Sequence, residues 1–133
     1  MIKYLLDTNI CIYVIKKSPL KVFNKLKTLK IGDVGISSIT YCELQYGVSN
    51  SALKERNQNV LNEFLAPLDV IAYPSEAAVL YGDIKVALTR KGYPIGPLDL
   101  LIGVHALYLD VTLITNNIKK FSRIPDLKIK NWV

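Results

Sequence analysis

Lys3-Tyr4-Leu5-Leu6-Asp7-Thr8-Asn9 is the stretch that decides the fold. Residues 2–6 are mostly apolar and β-compatible, and they stop at a carboxylate. Thr8 and Asn9, both good helix N-caps, come next, followed by the apolar run Ile10, Ile12, Val14 and Ile15. The pattern reads as a buried strand feeding directly into a helix, with Asp7 at the strand's carboxyl end. In open α/β sheets that edge is where ligands bind. An acid at this position also serves as a plain helix cap, and the stretch alone leaves both readings open.

Further along, the same alternation recurs. Ser18 is expected to cap a second helix with Pro19 in its first position, carrying Leu20, Phe23 and Leu26. Gly32-Asp33 reads as a turn and Val34-Gly35-Ile36 as a short strand. Ser37-Ser38 then caps a third helix that runs through Tyr46 and ends at Gly47. Ser51 opens a fourth helix, with Leu53, Val60, Leu61, Phe64 and Leu65 expected in the core. Residues 68–72 form a strand, and Ser75 caps a long fifth helix with Ala78, Val79, Ile84, Val86, Ala87 and Leu88, stopped by Gly92. A stiff loop over residues 93–97 leads into a sixth helix. Residues 111–115 make a strand, Ile118–Phe121 a helical turn and residues 127–129 an edge strand. Strands alternating with helices imply parallel pairing through right-handed crossovers. With no repeat and no linker, the expectation is one α/β domain over residues 1–133. Its sheet would be central, mostly parallel, four- or five-stranded and flanked by helices in a three-layer sandwich.

Composition narrows the function classes. Seventeen basic against eleven acidic side chains give a formal charge of +6, which suits a polyanionic partner or simply aids solubility. No run approaches the ~18 apolar residues of a membrane span, and too few apolar residues precede Asp7 for a signal peptide. The expected compartment is the cytoplasm. Cys11 and Cys42 fall in different predicted helices without C-x-x-C spacing, so both are expected to be reduced core thiols. One His and two Cys make zinc improbable.

Three acids stand where a bland sequence would not place them. Asp7 ends the first strand, Glu43 lies in the helix after the second, and Asp99 interrupts the apolar run Leu98 to Val104. Gly103 and Gly47 lie four residues after Asp99 and Glu43, leaving room on each helix face for a substrate or a close backbone. Two carboxylates about 4 Å apart repel by roughly 4 kcal/mol at an effective dielectric near 20, while a helix N-terminus returns only about 0.3–1 kcal/mol. No Lys or Arg adjoins Asp99 in sequence, so a hard divalent cation such as Mg²⁺ or Mn²⁺ is the expected neutraliser. Asn116 and Asn117, after the strand ending at Thr115, would add amide oxygens at the same edge or merely form a turn. His105 falls about 240° round the helix from Asp99 and reads as a core or edge histidine. Without a usable acid–base pair, the chemistry expected is hydrolysis by metal-activated water. Lysines 16, 17, 21, 25, 27 and 30, and the set Lys119, Lys120, Arg123, Lys128 and Lys130, would hold phosphates or only face solvent.

Taken in order, Leu6-Asp7-Thr8-Asn9, Ile36-Ser37-Ser38-Ile39-Thr40 with Glu43-Leu44 and Gly47, Pro94-Ile95-Gly96-Pro97-Leu98-Asp99, and Thr115-Asn116-Asn117 ahead of Phe121 are similar to the motifs of PIN-domain ribonucleases. Within them the chain resembles the VapC toxins of toxin–antitoxin pairs. The resemblance implies a Mg²⁺- or Mn²⁺-dependent endoribonuclease with Asp7 and Asp99 as principal metal ligands and Glu43 as third acid. The family often has a fourth acid where this chain has Asn117, which favours one tightly bound ion over two. Asn117 is still expected among the catalytic residues with Asp7, Glu43 and Asp99, and Thr8, Asn9, Thr115 and Asn116 as supporting groups. Also implied are a homodimer, a DNA-binding VapB-like antitoxin, and an RNA substrate such as the anticodon stem-loop of initiator tRNA. Rival readings are a housekeeping RNA-processing nuclease, a non-catalytic RNA- or protein-binding module on the same fold, and an aspartyl-phosphate enzyme built on Asp7.

Overall fold

In the computed structural model, which describes residues 1–133, the elements run in this order. β1 (Tyr4–Leu6), α1 (Thr8–Lys16), α2 (Leu20–Lys27), β2 (Val34–Ser37), α3 (Ser38–Ser49) and α4 (Lys54–Leu65) make the first half. β3 (Asp69–Ile71), a 3₁₀ turn (Ser75–Ala77), α5 (Ala78–Arg90), α6 (Pro97–Leu109), β4 (Thr112–Ile114), α7 (Ile118–Phe121) and β5 (Ile129–Lys130) complete it. All five strands are parallel, in the order β3-β2-β1-β4-β5. The expected sandwich is thus present, with β1 at the centre.

The two-residue period of the strands sorts the core. Leu5 and Leu113 face a cluster built with α5 and α6, including Ile84, Leu88, Leu100 and Val104. Their neighbours Leu6 and Ile114 face the opposite cluster, with Ile10, Cys11, Leu44 and Leu61 from α1, α3 and α4. Each fully buried leucine contributes about 1.5–3 kcal/mol of apolar transfer. Gly35 lets β2 approach β3, because a Cβ there would stand 2.8 Å from the Asp69 carbonyl oxygen. No helix is long and apolar enough to cross a membrane.

Several boundaries differ from the sequence expectation, and each has a local cause. Ser18 does not cap α2: its amide donates to the Tyr13 carbonyl (3.1 Å) and closes α1, beside Lys17 in the left-handed region, φ 55°. Pro19 precedes α2 without any side-chain cap. Gly47 does not end α3, which continues to Ser49. Ser51 terminates it, its hydroxyl donating to the Val48 carbonyl at 2.6 Å, so α4 starts later, at Lys54. On α4 Leu61 is buried whereas Leu53 and Val60 are exposed, and on α5 Ala78, Val79, Val86 and Ala87 face out while Ile84 and Leu88 face in. Gly92 (φ +74°) does stop the fifth helix. The last strand is Ile129–Lys130 rather than residues 127–129.

Candidate active site at the carboxyl edge of the sheet

From β1 the chain builds outward to β2 and β3 on one side, and later to β4 and β5 on the other. The crevice at such a reversal, outside the strand carboxyl ends, is the ligand position of open α/β sheets. Asp7 follows β1 and Thr115 follows β4, and here they meet.

Asp7 is only 3% exposed. Its Oδ1 accepts the Thr8 amide at 2.8 Å and its Oδ2 accepts the Thr115 hydroxyl at 2.9 Å. Both readings of this residue therefore hold, helix cap and edge acid. Burial pushes its carboxyl up from 3.8 to about 6. Hydrogen bonds from Thr115 and Thr8 oppose the rise, and the negative charges of Asp99 and Glu43 add to it. Asp7 forms no ion pair with any Lys or Arg.

Glu43 is half-buried, and its Oε1 accepts the Thr8 hydroxyl at 2.6 Å. Thr40, buried one turn earlier on α3, has its hydroxyl 3.3 Å from that of Thr8. Asp99 occupies the first turn of α6, which Pro97 starts. Expected as a buried acid without a nearby cation, Asp99 is instead half-buried and paired with Lys120 Nζ at 2.8 Å. The cation comes from α7, twenty-one residues on, which no helical spacing could reveal.

Of the other candidates, some are placed as expected and some are not. The Asn117 side chain is the N-cap of α7, its oxygen accepting the Lys120 amide at 3.3 Å. The Asn116 amide donates to the Tyr13 hydroxyl at 2.8 Å and so ties this turn to α1. Asn9 is exposed and makes no side-chain hydrogen bond. His105 is fully buried, with Nδ1 2.9 Å from the Ser37 hydroxyl, and burial lowers its pKa to about 4, so it is a core histidine as expected. Gly103 makes no room for substrate: a Cβ there would lie 2.5 Å from Ile124 Cδ1 and 3.3 Å from Phe121 Cδ1. That glycine lets the α7 region pack on α6. Gly47, by contrast, has open space beside it. Cys11 is a core thiol, whereas Cys42 is exposed because its position on α3 turns outward.

No three acidic, histidine or cysteine side chains close into a ready-made coordination shell. Each carboxylate is held by its own partner: Asp7 by Thr8 and Thr115, Glu43 by Thr8, Asp99 by Lys120. The donor set is nonetheless one of hard oxygens. A buried carboxylate with no cation of its own, near two further acids, suits a hard divalent ion. Beside Glu43 opens a groove of about 420 Å³, lined among others by Ile12, Ile15, Leu44, Val48 and Lys16.

Comparison with known proteins agrees with this geometry. The PIN domain family profile matches residues 4–127. Ribonuclease VapC2 of Rickettsia felis is 48% identical over 130 residues, covering 97% of each chain. The tRNA(fMet)-specific endonuclease VapC of Salmonella typhimurium is 41% identical over 132 residues, covering 99% of each. Among solved structures, VapBC2 from Rickettsia felis bound to a promoter DNA fragment superposes with a TM-score of 0.91 at 47% identity, with full coverage of both chains. DNA-bound VapBC from Salmonella typhimurium superposes with a TM-score of 0.93 at 40% identity, again with full coverage. Strand order, the acids at the carboxyl edge and full-length similarity lead to one assignment: the chain belongs to the PIN domain family, within its VapC branch.

Proposed function

We propose that this chain is a divalent-metal-dependent endoribonuclease, the toxin of a toxin–antitoxin pair. The observation that carries the reading is Asp7: a carboxylate 3% exposed, without a cation, raised to about 6 by burial and by the nearby charges of Asp99 and Glu43. Asp7 and Asp99 would hold the ion, Mg²⁺ or Mn²⁺, with Glu43 as third acid. When bound, such an ion lowers the pKa of water and offsets charge on a phosphate. The protein's own part is positioning. Thr115 and Thr8 fix both oxygens of Asp7, and the Thr8 hydroxyl also orients Glu43. The reaction is hydrolysis of an RNA phosphodiester, water adding to phosphorus and the 3′-oxygen leaving, to give 5′-phosphate and 3′-hydroxyl ends. The surplus of six positive charges favours the polyanion.

The Salmonella relative is named a tRNA(fMet)-specific endonuclease, which supports initiator tRNA as the proposed substrate. The cut site proposed is the anticodon stem-loop and the compartment proposed is the cytoplasm. Solved relatives are VapBC complexes on DNA, which supports a VapB-like, DNA-binding antitoxin as the proposed partner. A homodimer is the oligomer proposed for the active species. The test is cleavage of initiator tRNA by purified protein with Mg²⁺ or Mn²⁺, using Asp7→Asn and Asp99→Asn as controls. Loss of cleavage in both variants and 5′-phosphate products are expected. Products ending in 2′,3′-cyclic phosphate, or an Asp7→Asn variant that still arrests growth, would overturn the reading.

A further inference from the structure

A lysine reaches the acidic edge, and its placement is built rather than incidental. Of the chain's three ion pairs, Lys120–Asp99 is the shortest, at 2.8 Å, and the only one in which both side chains are about one-third exposed, 33% and 32%. One turn after β4 delivers it. Thr115 Oγ1 donates to Asp7 Oδ2 (2.9 Å) and accepts the Asn117 amide (3.0 Å), while Asn117 Oδ1 accepts the Lys120 amide (3.3 Å). Thus a single six-residue segment, Thr115 to Lys120, fixes Asp7 through Thr115 and Asp99 through Lys120. Asn117, being uncharged, caps the short helix and does not compete for the ammonium.

We propose that Lys120 is the internal counter-cation of this site: it holds Asp99 while no divalent ion is bound and yields that carboxylate when one binds. The inference rests on the metal-nuclease reading above and adds a role to a residue outside the acid set. An ammonium on Asp99 Oδ2 competes with any cation for that oxygen. A monovalent ion offers Asp99 no more charge than Lys120 does, and no N–H donors. A doubly charged ion, drawing on Asp7 as well, offers twice the charge. Lys120 therefore acts through Asp99 as a positioning residue, and sets a threshold that only multivalent ions pass.

The test is Mn²⁺ affinity of the full chain by titration calorimetry, after chelator treatment, for wild type, Lys120→Met, Lys120→Arg and Asp99→Asn. Because the pair is partly exposed, its removal should tighten Mn²⁺ binding by about fivefold in Lys120→Met. Lys120→Arg keeps the charge and should bind as wild type does. A lysine with only a structural role predicts unchanged or weaker binding in Lys120→Met, and either result, with binding lost in Asp99→Asn, overturns this role alone. Equal affinity in wild type and Asp99→Asn overturns the metal-site reading and this proposal together. A second readout needs no substitution: in ¹⁵N-lysine-labelled protein, the Lys120 Nζ resonance should shift in step with Mg²⁺ saturation. A resonance that stays fixed at saturation overturns the proposal even if Lys120→Met fails to fold.

Discussion

Asp7→Asn should make the metal-free protein more stable at neutral pH while abolishing its activity. Raising the carboxyl from 3.8 to about 6, at about 1.4 kcal/mol per pH unit, means that ionised Asp7 costs the folded chain about 3 kcal/mol above pH 6. The sign follows from the direction of the shift. Asp7 favours the fold fully below pH 3.8, and that contribution is lost as pH rises through about 6. Asparagine removes the charge but accepts only one of the two hydrogen bonds that Asp7 takes from Thr8 and Thr115, a loss of about 1 kcal/mol. The net expectation at pH 7.5 is a gain of about 1–2 kcal/mol, shrinking to nothing or reversing by pH 4. Urea unfolding in EDTA measures it directly: with a slope of about 2 kcal/mol per molar, the midpoint should rise by roughly 0.5–1 M. Adding Mg²⁺ should then stabilise wild type only, since a ligand stabilises the state that binds it. A variant less stable than wild type at pH 7.5 in EDTA, or a difference that does not change with pH, would refute the reasoning.

Four further outcomes are expected. In the Asp7→Asn background, stability should fall as pH drops from 6.5 towards about 4, by up to ~3 kcal/mol, because His105 is buried neutral and must charge on unfolding; His105→Asn should flatten that limb in the same urea series. Thr8→Val keeps the branched shape but frees Glu43, and RNA cleavage should drop by roughly 10²-fold at a cost near 1 kcal/mol in stability, read by single-turnover kinetics and thermal melting. Gly103→Ala should lower the melting temperature: forcing a Cβ against Ile124 and Phe121 costs about 1–3 kcal/mol, more than the up to ~1 kcal/mol returned by helix propensity. A thiol reagent should label Cys42 rapidly in the native protein and Cys11 only on unfolding, as followed by mass spectrometry.

Local patterns carried much of this molecule. Leu5 and Leu6 before Asp7, and the caps after it, announced a strand running into a helix, and the alternation announced a parallel sheet. Asp7, Glu43 and Asp99 could be picked out because each breaks an apolar setting. What stayed hidden depends on contacts between distant residues. Lys120 meets Asp99 across two helices, so neighbours in sequence gave no hint of an ion pair. Ser18 and Ser51 look like helix starts but serve as helix ends, since a hydroxyl or amide satisfies whichever orphan backbone group is nearer. Val79, Val86 and Val60 follow helical spacing yet face out, because apolar spacing does not say which face another layer will cover. By spacing alone Gly103 suits a substrate or a close backbone, whereas the room it leaves is filled by the Ile124 side chain.

The central place of β1 has a consequence for synthesis on the ribosome. Asp7 is among the earliest residues translated, but the hydroxyl it needs lies 108 positions later, beyond every crossover except the last. A nascent chain must wait for its final fifth before both neighbours of the first strand exist to embrace it. Pairing over such separations is slow. Translation products that stop short of Thr115 should therefore lack a fixed Asp7 and cleave no RNA.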